Sequence, residues 1–180
     1  MKRFTFIITA LLISLSCMAQ DGHMTFMGIP LNGTINSFQS KLAAKGVTPD
    51  VKFNKTTQVG IRGFNGNFAG HKAEIYVFYD AKTKIVYRAK ACINSESKTI
   101  AEQTYNTIKS QLQDKYSNNC FIETDTHEGH ESTNFLLLFG VIDLYCSSHT
   151  EVYPTIYTLH IDYYDIANFN EYNNSVKEDL

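Results

Sequence analysis

In this 180-residue chain, a helical stripe followed by a run of alternating strands occurs twice, and that doubled order limits the possible folds more than any other feature. The second stripe is the sharper. Ala101, Tyr105, Ile108, Leu112 and Tyr116 recur at spacings of four, three, four and four, which lines one face of a helix. Thr99 and Glu102 match a capping box, with Ser97 as a competing cap. The first stripe is Ile35, Phe38 and Leu42 within a helix over 35–45, with Thr34 as its N-cap. Gly46 stands where a left-handed residue ends such a helix, and Val47 is placed to fold back on Leu42.

Strand signals follow each helix. Residues 58–93 read as an antiparallel meander: a first strand from Val59 and Ile61 towards Phe68, a turn at 69–72, a second strand over 73–79 and a third over 85–93. Asn65-Gly66 reads as a glycine bulge inside the first strand. In the third strand Tyr87, Ala89, Ala91 and Ile93 share one face, and Val86, Arg88, Lys90 and Cys92 share the other. After the second helix come strands over 120–124, 133–139, 141–147 and 155–164, with a polar loop over 125–132. The last strand sets Tyr157, Leu159, Ile161 and Tyr163 against Ile156, Thr158, His160, Asp162 and Tyr164. Residues 20–33 read as a lead-in with a short apolar piece, and 166–180 as a polar C-terminal tail. The pattern predicts one α+β domain over 20–165. Its two similar halves, about 31–93 and 97–165, build an antiparallel sheet with helices on one face.

The N-terminus has the three-part plan of a secretory signal. Lys2 and Arg3 precede an uncharged, mostly apolar run over 4–15, and small residues at Cys17 and Ala19 suit cleavage after Ala19. The expectation is export to the periplasm or medium with 1–19 removed. A second processing reading takes Ser14-Leu15-Ser16-Cys17 as a lipobox with Cys17 lipidated. Cleavage after Ala19 leaves 14 basic against 18 acidic residues, without a dense basic stretch, so electrostatic capture of nucleic acid or anionic lipid is not expected. The longest apolar stretch beyond the signal, 135–142, is too short for a membrane span of roughly 20 residues. Cys92, Cys120 and Cys146 remain, enough for at most one internal disulfide, with three pairings open.

The halves share a short local pattern. Ser40-Lys41-Leu42-Ala43-Ala44-Lys45 and Ser110-Gln111-Leu112-Gln113-Asp114-Lys115 both read Ser-x-Leu-x-x-Lys, 70 residues apart. Three further stretches carry a resemblance: Phe26-Met27-Gly28-Ile29-Pro30, Asn32-Gly33-Thr34-Ile35 and Phe64-x-Gly66-x-Phe68-Ala69-Gly70. They look like exported proteins of unknown function from gut bacteria. The tandem helix-plus-sheet plan is similar to the β-lactamase-inhibitor-protein-like fold. That second resemblance implies binding of other proteins or envelope components, and neither resemblance transfers an active site.

If the helices cover one sheet face, the reverse face stays open. Tyr76, Phe78, Arg88, Lys90, His160 and Tyr164 fall on it, and aromatics beside arginine make effective anchors. The polar cluster His127-Glu128-Gly129-His130-Glu131 offers His127, His130 and Glu131 as metal ligands. It departs from the His-Glu-x-x-His order of zinc proteases and reads more simply as a solvated loop. Cys146 with His149, and Cys92 with His71, pair nucleophile and base by residue type alone. The serine-hydrolase elbow and the phosphate-binding glycine loop are both missing. The sequence therefore predicts a non-enzymatic binding protein without a cofactor, its partner a protein or envelope component. The alternatives are a metal-dependent hydrolase using residues 127–131, and an envelope-assembly component anchored through Cys17.

Overall fold

The computed structural model describes residues 22–127, 130–151 and 153–178. The expected signal over 1–19, with its cleavage site and Cys17, lies outside the described residues. An α+β fold forms, as the alternating pattern predicts. Its main sheet has eight antiparallel strands: β3 (Thr48–Pro49), β4 (Ile61–Phe68), β5 (His71–Tyr79), β6 (Val86–Ser95), β7 (Cys120–His127), β8 (His130–Leu137), β9 (Gly140–His149) and β10 (Ile156–Asp165). Their spatial order is β3-β4-β5-β6-β10-β9-β8-β7. Each half is thus a four-strand meander, and the halves meet where β6 pairs with β10, Tyr157 opposite Ser95 through Tyr164 opposite Arg88.

Helices α1 (Ile35–Ala43) and α3 (Lys98–Tyr116) lie on one face. Ile35, Phe38 and Leu42 from α1, and Ile108 and Leu112 from α3, join Phe64, Ile75, Val77, Ala89, Ala91, Ile142, Leu144, Leu159 and Ile161 in one core. Thr34 caps α1, and Gly46, at φ 80°, ends it with the Val47 amide bonded to the Leu42 carbonyl at 3.2 Å, the Schellman pattern the sequence predicts. Ser97, not Thr99, caps α3: its hydroxyl accepts from the Ile100 amide at 3.4 Å. Because the Ser95 hydroxyl in turn accepts from the Ser97 amide at 3.1 Å, β6 leads directly into the cap.

Several expectations change. Asn65-Gly66 is not a bulge, since β4 pairs with β5 in unbroken register. Gly66 is required because a Cβ there would stand 2.8 Å from the Val47 side chain. The bulge lies in β6, where Phe78 pairs with Arg88 but Tyr79 with Val86, leaving Tyr87 as the extra residue. That extra residue breaks the strict alternation expected of the strand, and Tyr87 joins the C-terminal residues instead of the core. The expected tail is a helix, α4 (Ile166–Glu178). Tyr172 of α4 stacks on Tyr87 at 4.4 Å, and Phe169 meets Tyr87 at 5.9 Å and Tyr164 at 5.6 Å. Asn168 donates to the Leu31 and Val86 carbonyls.

The lead-in is core. A small hairpin, β1 (Thr25–Phe26) and β2 (Ile29–Pro30), turns through Met27 and Gly28, both at positive φ, and buries Phe26 against Phe68 and Tyr163. The unassigned stretch after Val47 forms β3 and a short helix, α2 (Val51–Thr56), capped by Asp50. The supposed polar loop over 125–132 is instead mostly strand, β7 running to His127 and β8 starting at His130. Among the described residues no helix is long and apolar enough to cross a membrane.

Candidate functional site

Alternation along β5, β6, β10 and β9 projects every second residue away from α1 and α3. Tyr76 pairs with Lys90, and Lys90 with Asp162, whereas Phe78 pairs with Arg88, and Arg88 with Tyr164. Glu74, Cys92, His160 and Tyr145 form a third row across the same strands. The six residues expected on an open face, Tyr76, Phe78, Arg88, Lys90, His160 and Tyr164, therefore do share one side of the sheet.

That side is bordered rather than bare. At the β4 edge, Phe53 of α2 packs edge-on to Tyr76 at 5.1 Å. It lies over Gly63, where a Cβ would come 2.5 Å from its ring. At another border α4 rests on Tyr87 and Tyr164. Between these borders a trough of about 420 Å³ remains, lined by Glu74, Tyr76, Phe78, Lys90, His160 and their neighbours. A second hollow of about 460 Å³ adjoins it across Glu74, Cys92 and Asn94.

The polar groups of the floor are tied to one another. Arg88 forks onto Asp162, Nε to Oδ1 at 2.8 Å and Nη2 to Oδ2 at 2.5 Å, with its guanidinium 4.3 Å from the Phe78 ring centre and 4.7 Å from that of Tyr164. Burial works to lower the Arg88 pKa, but the bonds to Asp162 and its charge win and raise it. Arg88 is thus a strut holding the floor, and its charge is committed inside the protein. Lys90 donates to the Tyr145 hydroxyl at 2.9 Å, and Tyr145 stacks on His160 at 4.5 Å. His160 is held at both nitrogens, Nδ1 3.4 Å from Cys92 Sγ and Nε2 2.8 Å from Ser147 Oγ. Thr158 donates to Asn94 at 2.8 Å. Burial raises the Tyr76 pKa, and the bond of its hydroxyl to Glu74 raises it further.

A thiol beside an imidazole has the residue types of a nucleophile and its base. Here burial pushes the Cys92 thiol up to about 12, so it holds its proton at neutral pH and has little nucleophilic character. The pairings anticipated from residue types do not form. His71 and Cys92 project to opposite sides of the sheet, as do Cys146 and His149, by the parity of their strands. Cys92, Cys120 and Cys146 are free thiols. In the proposed metal cluster, His127 and His130 are backbone partners at the strand ends, and Glu131 is exposed opposite Thr126. The side chains of the two histidines lie outside the described residues. Among the described residues no three His, Cys, Asp or Glu side chains gather as metal ligands.

Sequence reasoning missed the β9 contribution of Tyr145 and Ser147 and the borders from α2 and α4. The parity of the strand expected over 141–147, which puts Tyr145 and Ser147 on one face, was the available signal for β9, whereas nothing local marked Phe53 as a wall. Compared with models of known protein families, with curated proteins and with solved structures, the chain has no match.

Proposed function

We propose that this is a non-enzymatic binding protein that recognises a protein or envelope partner in the trough on the reverse face of its sheet. The observation that carries this reading is the state of the floor. Its charged and polar groups are paired with one another, which fixes their positions before any partner arrives and lowers the ordering cost of binding. Phe78 and Lys90 stand among them with apolar and cationic surface available to a partner. The buried, protonated Cys92 thiol beside His160 lacks the character of an activated nucleophile. The similarity of the tandem plan to the β-lactamase-inhibitor-protein-like fold points the same way, as does the reading of residues 1–19 as a secretory signal, which would place the partner outside the cytoplasm.

Affinity capture from the envelope and medium of the native cell tests this. Wild-type protein is expected to retain a defined partner that Phe78→Ala and Lys90→Ala recover at least tenfold less well, with both variants still folded. Arg88 is unsuitable for this purpose, because its loss is expected to leave the buried Asp162 carboxylate without its cation. Equal recovery of the same proteins by wild type and both variants would remove the trough from the account.

A further inference from the structure

The sheet is divided by charge along its width. Residues 22–115, which supply α1, α2, β3 to β6 and all of α3 but its last residue, hold 13 lysines and arginines against 6 carboxylates, a net charge of +7. Residues 116–176, which supply β7 to β10 and most of α4, hold no lysine or arginine against 9 carboxylates, a net charge of −9. The acidic half ends at β7, an outermost strand of the sheet. Residues 121–126 are exposed on both faces, and the exposed set includes two large apolar side chains, Phe121 at 65 % and Ile122 at 39 %.

The two edges of the sheet are treated differently. At the far edge, β3 pairs with Phe64 and Asn65 of β4. The Asn54 side chain then takes both backbone groups of Gly63, donating to its carbonyl at 2.8 Å and accepting from its amide at 2.7 Å. Strand β7 has β8 along one side, and among the described residues no strand lies along the other. An open strand edge pairs readily with another chain unless something blocks it.

A second copy of the chain is a poor occupant. Antiparallel pairing of β7 with itself about a two-fold axis must keep like faces together, so partner numbers sum to an even value. The two longest such registers place Glu123 opposite Glu123 or Glu123 opposite Asp125, and directly opposed like charges are destabilising. The far edge of a second copy offers no free strand of comparable length, because β3 has only two residues and α2 packs beside β4.

We propose that β7 is a docking edge for an extended segment of another protein carrying lysine or arginine at alternate positions. The segment adds a ninth strand, placing its cations opposite Glu123 and Asp125 on one face and an apolar residue opposite Ile122 on the other. This is a surface distinct from the trough, and it does not depend on the trough binding anything.

The test uses the full chain and a capped peptide, Lys-Thr-Lys-Val-Lys-Thr-Lys, titrated at low and high salt. Two controls are a peptide of the same composition with its lysines contiguous, and one with glutamate in place of lysine. The alternating peptide is expected to bind in a salt-sensitive manner, to slow amide exchange in β7, and to lose at least tenfold in affinity against the Glu123→Lys/Asp125→Lys protein. Binding of the contiguous-lysine peptide as tight as that of the alternating one would reduce the effect to unspecific charge attraction and overturn the proposal. So would unchanged affinity in the double variant, absence of new protection in β7, or self-association through β7 without peptide.

Discussion

Arg88 shows how a side chain that reads as a binding anchor is turned to structural use. Asp162 is 1 % exposed, and its carboxylate is balanced by the Arg88 fork. Arg88→Ala leaves that carboxylate buried without its cation, and a loss of about 3–5 kcal/mol in chemical denaturation is expected. The double variant Arg88→Met/Asp162→Leu removes both charges and is expected to recover most of that loss; equal instability of single and double variants would contradict a buried-pair role. Gly63 makes the same point through sterics. With Phe53 where a Cβ would go, Gly63→Ala is expected to cost about 1–3 kcal/mol and to loosen the α2 border, read as faster amide exchange over 51–56. Alternation put Arg88 and its neighbours on the right face. It was silent about Asp162 as the partner, because that contact joins strands 74 residues apart.

The legible elements were those with a period of their own. α1, α3, β5 and β10 each repeat an apolar residue at helix or strand spacing, so their inner faces could be read directly. β1, β2 and β3 have two residues apiece, and α2 has six, too few to show a period. Their stability comes from packing against residues distant in sequence. α4 was hidden for another reason. Its sequence is rich in asparagine and poor in aliphatic residues, and its docking depends on rings and on the Asn168 bonds rather than on an aliphatic stripe. Asn168→Ala leaves the Leu31 and Val86 carbonyls without those donors, and a loss of about 1–3 kcal/mol is expected. The same change should raise amide exchange across α4 while β8 and β9 stay protected. Uniform exchange throughout the domain would show that α4 is not a separable border of the trough.

Across the whole molecule, one layer of helices packs the inner face while the outer face is closed only at its borders. Burial raises the pKa of Cys92 to about 12 and of Cys146 to about 11, and it also raises Tyr87, Tyr163 and Tyr164. These groups hold protons more tightly folded than unfolded, so their contribution is complete below the unfolded values and is lost as pH climbs through the folded ones. Thermal stability should therefore fall steadily above about pH 9, where unfolded thiols begin to ionise; a flat profile to pH 11 would contradict the burial described. The reverse-face trough itself is tested most directly by lysine acylation, read residue by residue, in the presence and absence of native envelope extract. Lys90 is expected to lose reactivity in the extract while the exposed Lys41 of α1 and Lys45 of the turn after it keep theirs. Unchanged Lys90 reactivity, or protection confined to α1, would contradict it.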